Sequence, residues 1–152
     1  VVVSFEVVTR SSLPVAELFD RARSIDLHTE SQAASGERAV GGVVSGTIGL
    51  GEEVTWRARH FGVPLRLTSR ITAFDAPHSF TDEQTRGPFR SFRHEHRFEA
   101  DGGGGSVMTD RVSFRAPFGV LGRIAERLVL ARYLRRLIEE RGAFLAGAER
   151  QE

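Results

Sequence analysis

The chain has 152 residues, 40 % of them hydrophobic and 27 % charged, with a formal net charge of +1 at pH 7. That is enough for one domain with a packed core, and the charge balance alone gives no reason to expect nucleic acid as a partner. All 21 basic residues are arginine and there is no cysteine, which excludes Schiff-base chemistry, a P-loop lysine, disulfides, a thiolate nucleophile and zinc–sulfur sites.

VVVSFEVV, residues 1–8, is rich in β-branched residues and reads as a strand. SSLPVAELFDRAR follows, with Ser11 or Ser12 expected as a helix cap and Pro14 suited to the first turn. Val15, Leu18, Phe19 and Ala22 recur at helical spacing. IDLHTESQAA gives a second short helix, with Asp26 as its expected cap. GGVVSGTIGLG, residues 41–51, invites comparison with a phosphate cradle, but it lacks a lysine and runs into Glu52 and Glu53. A flexible loop or a β-bulge is the better reading. Residues 52–116 read mainly as strands, punctuated by FGVP (61–64), DAPH (75–78), RGPF (86–89) and DGGGG (101–105). One long helix is predicted over about 121–146, its apolar stripe made of Leu121, Ile124, Leu128, Leu134, Leu137, Ile138 and Leu145. The order predicts a single α+β domain over 1–152. No apolar run is long enough to cross a bilayer and no signal peptide is visible, so the cytoplasm is the expected location.

Strand side chains alternate between faces, so parity decides what points inward. In 92–98 the even positions are Phe92, His94, His96 and Phe98; in 106–115 they include Met108, Asp110, Val112 and Phe114. Pairing across a turn near Gly103 sets His96 beside Asp110 and His94 beside Val112. A slip of two residues would set His94 beside Asp110 instead. Val54, Trp56, Ala58 and His60 share the inner face of another hairpin, opposed across FGVP by Leu65, Leu67, Ser69 and Ile71. Three histidines and an aspartate on one apolar face are costly in a filled core, so a cavity is expected there. The outer face collects Arg57, Arg59, Arg66, Arg70, Arg93, Arg97, Arg111 and Arg115. It lacks the stacking aromatics of RNA-binding sheets, Phe61 excepted, and reads as a solvated face.

GLGEEVTWRARHFG (49–62), FTDEQTRGPFRSFRHEHRF (80–98), MTDRVSF (108–114) and APFGVLG (116–122) resemble the SRPBCC proteins. These are the START-like, helix-grip relatives of pollen allergens and polyketide cyclases, and the likeness is to their bacterial ligand-binding type. The resemblance implies a seven-stranded antiparallel sheet wrapped around the long C-terminal helix, two short helices after the first strand, and a hydrophobic cavity. Carried over by position, Trp56, His60, Leu67, Phe92, His94, His96, Met108 and Asp110 line that cavity, and His28 reaches its mouth. His60, Gln84, His94, His96 and Asp110 are expected to orient a ligand.

The expected function is binding, for transport or sequestration, of a small hydrophobic molecule such as a lipid, quinone or polyketide. The alternative is a cyclase or dehydratase using His96, Asp110 and His94 as acid–base groups. A third reading is nucleic-acid or membrane binding by the arginine-rich outer face, which steep salt dependence would mark. Metal binding is weighed as well, since His-x-His on a strand points two imidazoles one way and Asp110 offers a third ligand to zinc or iron, but no further strong ligand stands out beyond His60. The resemblance implies no metal, and neither metal nor cofactor is expected. No nucleic-acid partner is expected, membrane contact through Arg132, Arg135 and Arg136 is at most transient, and monomer and homodimer are equally open.

Overall fold

The computed structural model describes residues 2–116 and 129–147. Strand β1 (Val3–Ser11) leads into helices α1 (Val15–Ala22) and α2 (Ile25–Ser31) and a 3₁₀ turn, Ala33–Ser35. Six strands follow: β2 (Arg38–Gly42), β3 (Glu53–His60), β4 (Val63–Asp75), β5 (Ser79–Arg86), β6 (Ser91–Ala100) and β7 (Ser106–Arg115). Helix α3 (Ala131–Leu145) ends the described chain. The expected stripe residues Leu121, Ile124 and Leu128 lie outside the described residues. All seven strands form one antiparallel sheet in the order β1-β7-β6-β5-β4-β3-β2. Among the described residues no helix is long and apolar enough to cross a membrane.

Strand parity follows the expected alternation. The β6–β7 register sets Phe92 against Phe114, His94 against Val112, His96 against Asp110 and Phe98 against Met108. The β3–β4 turn is tighter than FGVP suggests. It consists of Phe61 and Gly62, at φ 53° and 75°, and Val63 and Pro64 already belong to β4. The inner partners of β3 are therefore Val63, Leu65, Leu67 and Ser69, and Ile71 lies beyond the pairing. Face assignment survives because only the loop length changed, by an even number of residues. The glycine stretch 41–51 is part strand, with a bulge between Ala39 and Gly41, and part loop.

Two expected caps are corrected. Helix α1 is preceded by Pro14 without a side-chain cap. Ser11 instead accepts from Leu13 N (3.1 Å) and donates to Ala146 O (2.9 Å), tying the end of β1 to the end of α3. Ser24, not Asp26, caps α2 by accepting from Leu27 N at 3.2 Å. Asp26 reaches Gly46 N at 3.0 Å and pins the glycine loop, so the shorter side chain two positions earlier takes the cap.

The apolar interior divides in two. Leu18, Phe19 and Ala22 of α1 pack with Phe80, Phe98, Met108 and Leu145 at one end of the sheet. Leu134 and Ile138 of α3 rest near Phe5, Val7, Val112 and Phe114 at the other. Phe19 is 2 % exposed and meets Phe74, Phe80 and Phe98 edge-on, with ring centroids 5.2–5.6 Å apart. Removing that ring leaves a void that close packing cannot refill. Phe19→Ala should lower the unfolding free energy by about 3–5 kcal/mol, read from urea denaturation. A loss below about 1 kcal/mol would show that α1 is not anchored there.

Candidate functional site

Between the two apolar clusters lies a cavity of about 450 Å³, walled by the inner face of β3–β6, α2 and α3. Leu134, Leu137 and Ile138 sit on the buried stripe of α3 yet are only half-buried, because they face this space. Two of its lining residues, Phe61 (64 %) and Val63 (52 %) on the β3–β4 turn, are exposed.

Of the residues expected to line it, Trp56, His60, Leu67, Phe92, His94, His96 and His28 do so. Three do not. Met108 is fully buried in the α1 cluster, where the helix covers the ends of β6 and β7. Gln84 spends its amide on the 87–90 loop, donating to Phe89 O (2.8 Å) and accepting from Phe89 N (3.3 Å). Asp110 is 1 % exposed and stands one layer behind the histidines.

Asp110 organises the polar floor from that position. Its Oδ1 lies 2.7 Å from Nε2 of His94, a diagonal neighbour across β6–β7, and 3.1 Å from Nδ1 of His96, its direct partner. The first contact is a well-formed hydrogen bond; the second is close but poorly aligned, and leaves His96 Nδ1 without a proper partner. Nε2 of His96 meets Oδ2 of Asp82 at 2.7 Å, while Ser69 donates to Asp82 Oδ1 at 3.0 Å. The His96 ring is sandwiched between Phe80 (4.1 Å) and His94 (3.7 Å), both nearly parallel to it. From α3, Arg141 reaches within 3.8 Å of Asp110 and donates to Ala22 O at 2.9 Å.

Asp82 and Arg141 are the parts that residue-by-residue reading missed. Asp82 shares parity with Phe80 and Gln84 on β5, so the signal was present in TDEQTR. Its closeness to His96 depends on pairing β5 with β6, which sets Asp82 opposite His94. Arg141 carries no sequence signal, since an arginine on a helix is ordinarily solvated.

The charges in this floor close on themselves. Burial raises both carboxylates, but their bonds to the histidines outweigh it and hold Asp82 and Asp110 well below the usual carboxylate range. Burial, then the neighbouring His96, holds His94 below the ordinary imidazole value. Burial also opposes charge on His96, yet Asp110 and Asp82 together push it above that value. The shifts favour charge on His96 and oppose it on His94, so His96 and Arg141 are the cations placed to match the two carboxylates. Elsewhere on the lining, His60 Nδ1 meets the Tyr133 hydroxyl at 2.6 Å, and burial holds His60 below the ordinary value despite Glu37. His28 stacks on Trp56 at 4.1 Å and meets Glu37 at 2.7 Å.

Helix, sheet and cavity are those of a helix-grip protein, and comparison with known proteins agrees. The family model for polyketide cyclase/dehydrase and lipid transport matches residues 2–146. The chain belongs to that family. TTHA0849 from Thermus thermophilus superposes with a TM-score of 0.78 at 12 % identity, covering 95 % of both chains. Ara h 8.0201 gives 0.66 at 16 % identity over 97 % of this chain and 99 % of the other. Norcoclaurine synthase from Thalictrum flavum, solved with dopamine and hydroxybenzaldehyde, gives 0.67 at 10 % identity over 99 % and 90 %. At these identities the likeness carries the fold. No curated protein sequence matches the chain.

The two floor histidines, His94 and His96, act on stability in opposite directions. His94, lowered on folding, contributes stability that is present above the ordinary histidine value of 6.5 and lost as pH falls through its folded value. His96, raised on folding, contributes stability present below 6.5 and lost as pH rises through its folded value. Asp82 and Asp110 add stability present above 3.8 and lost below it. Chelator-dialysed protein should therefore be most stable near pH 6.5, declining on both sides and steeply below 3.8. Denaturant titrations between about pH 3 and about pH 9, spanning the carboxylate and imidazole ranges, read this directly. Stability that keeps rising above pH 6.5 would contradict the raised value of His96.

Proposed function

We propose that the protein binds a small, mainly hydrophobic molecule carrying one polar end, for transport or sequestration. The observation that carries this reading is the cavity: about 450 Å³, walled mainly by apolar side chains, with Asp82, His94 and His96 on its floor and a second polar group around His28, Glu37, His60 and Tyr133. That volume falls within the roughly 300–1,000 Å³ of small-molecule sites, where apolar walls supply affinity and a few fixed polar groups orient the ligand. Asp82, His94 and His96 face the polar end, and Trp56, Leu67, Phe92, Leu134 and Ile138 the remainder. Lipids, quinones and polyketides have this form. The family's description, which covers lipid transport, supports the same reading.

A cyclase or dehydratase is the second reading, favoured by the family's other half and by the ligands of the norcoclaurine synthase structure. The geometry weakens His96 as its acid–base group. That ring is 1 % exposed, faces a carboxylate at each nitrogen, and is covered on both faces. His94, which lines the cavity and whose charge burial opposes, is the better candidate for proton transfer.

Filling the cavity tests the binding reading. Leu67→Trp places a large ring opposite Trp56 inside the space. Fluorescence titration with 8-anilinonaphthalene-1-sulfonate should show at least about a tenfold loss of affinity, with far-UV circular dichroism unchanged. Equal binding by variant and wild type would place the hydrophobic site elsewhere. Native mass spectrometry of freshly purified wild-type protein should additionally reveal a carried organic mass that the variant lacks.

A further inference from the structure

We propose that Asp82, His94 and His96 form a binding site for one divalent transition-metal ion, with its open coordination positions facing the cavity. The inference goes beyond small-molecule binding and does not depend on it.

Geometry comes first. One ligand atom from each of the three residues lies within 4.8 Å of the others, and two of them, His96 Nε2 and Asp82 Oδ2, are already 2.7 Å apart. Donors bound at about 2.0–2.2 Å to one ion stand roughly 3–3.5 Å from each other. Closing the set therefore needs the His94 and His96 rings, stacked with centroids 3.7 Å apart, to splay so that a nitrogen lone pair of each meets one ion.

The surroundings are those a metal site requires. A ligating imidazole is normally held at its other nitrogen by a carboxylate or carbonyl, which fixes both tautomer and ring direction. Asp110 Oδ1 does this for His94, at 2.7 Å from its Nε2, and stands 3.1 Å from His96 Nδ1 without a well-aligned bond. His94 Nδ1 and His96 Nε2 are left to supply the lone pairs. Asp82 is likewise oriented, by Ser69 at 3.0 Å. Arg141 sits beside Asp110 and contributes to charge balance without occupying a donor.

Charge agrees. Two carboxylates, Asp110 buried and Asp82 part-buried, need two compensating positive charges, and Arg141 supplies one. A divalent ion in place of a proton on His96 brings Asp82, Asp110, Arg141 and the metal to a net +1, an excess that faces the cavity and favours an oxygen anion there. Two imidazoles and one carboxylate suit zinc, iron, cobalt or nickel, and they leave at least one position open. That position meets the polar end of a cavity ligand, where a carbonyl, phenolate or carboxylate oxygen completes the coordination.

Cobalt(II) is the probe, because its visible bands report coordination directly. Chelator-treated wild-type protein should take up one equivalent of Co²⁺, with ligand-field absorption of an imidazole–carboxylate site. Asp82→Asn and His94→Gln should each weaken uptake by at least about 100-fold, and Asp110→Asn by roughly 10–100-fold. Leu67→Trp keeps all three ligands, so it should still bind Co²⁺ after losing the hydrophobic probe, which separates this site from the cavity reading. Should a variant fail to fold, hyperfine-shifted imidazole N–H resonances from two histidines in Co²⁺-loaded wild type give the same answer. Failure to bind Co²⁺ or Zn²⁺, or binding unchanged in Asp82→Asn and His94→Gln, overturns the proposal; the second outcome would assign the ion to His28, His60 or His78 instead.

Discussion

The structure depends on a single constraint: two carboxylates held in an apolar interior must be matched where they stand. Asp82 and Asp110 come from β5 and β7, His94 and His96 from the strand between them, and Arg141 from the helix opposite. An unpaired charge at such depth costs several kcal/mol, so none of these elements can move far without exposing that penalty. The cluster thereby does what apolar packing alone does poorly. Packing closes space, whereas the Arg141–Asp110 contact at 3.8 Å ties α3 to the sheet beside the cavity. Arg141 extends the tie by donating to Ala22 O, which fixes the end of α1 to the same point.

This arrangement gives the cavity an orientation. Its walls are hydrocarbon and its floor is a fixed dipolar group, with His60–Tyr133 and His28–Trp56 elsewhere on the lining. The family match and the solved neighbours, at 10–16 % identity, account for the sheet gripping its helix. Chemistry lives in the site and not in the fold, so the Asp82–His94–His96–Asp110 group is where this chain's specificity has to be sought.

Outside, the arginine face is ordinary in its energetics. The eight sheet arginines are exposed, and several lean on acidic neighbours, as Arg70 does on Glu53 and Arg93 on Glu95 and Glu83. Exposed pairs of this kind contribute about 0–1 kcal/mol each. Such pairs and the surrounding water are enough to account for arginines in these positions.

Much of this was legible before any coordinates. Alternation along FRHEHRF and MTDRVSF is a local consequence of backbone geometry, so it decided the inward faces and the need for a cavity without reference to the rest of the chain, while the choice between His96 and His94 as the direct partner of Asp110, which alternation leaves open, was made by the β6–β7 register. The order of elements did the same for the fold. The sequence could not decide what depends on distance between segments far apart in the chain. Which carboxylate faces the cavity and which stands behind it is set by how β5, β6 and β7 stack side by side, and that made Asp82 the front partner and Asp110 the rear one. Met108 was lost to the core because α1 covers it, and Gln84 because a neighbouring loop claimed its amide. Arg141 entered the site through the docking of a helix 31 residues further along than Asp110. Local chemistry fixes which way a side chain points; only tertiary packing fixes what it finds there.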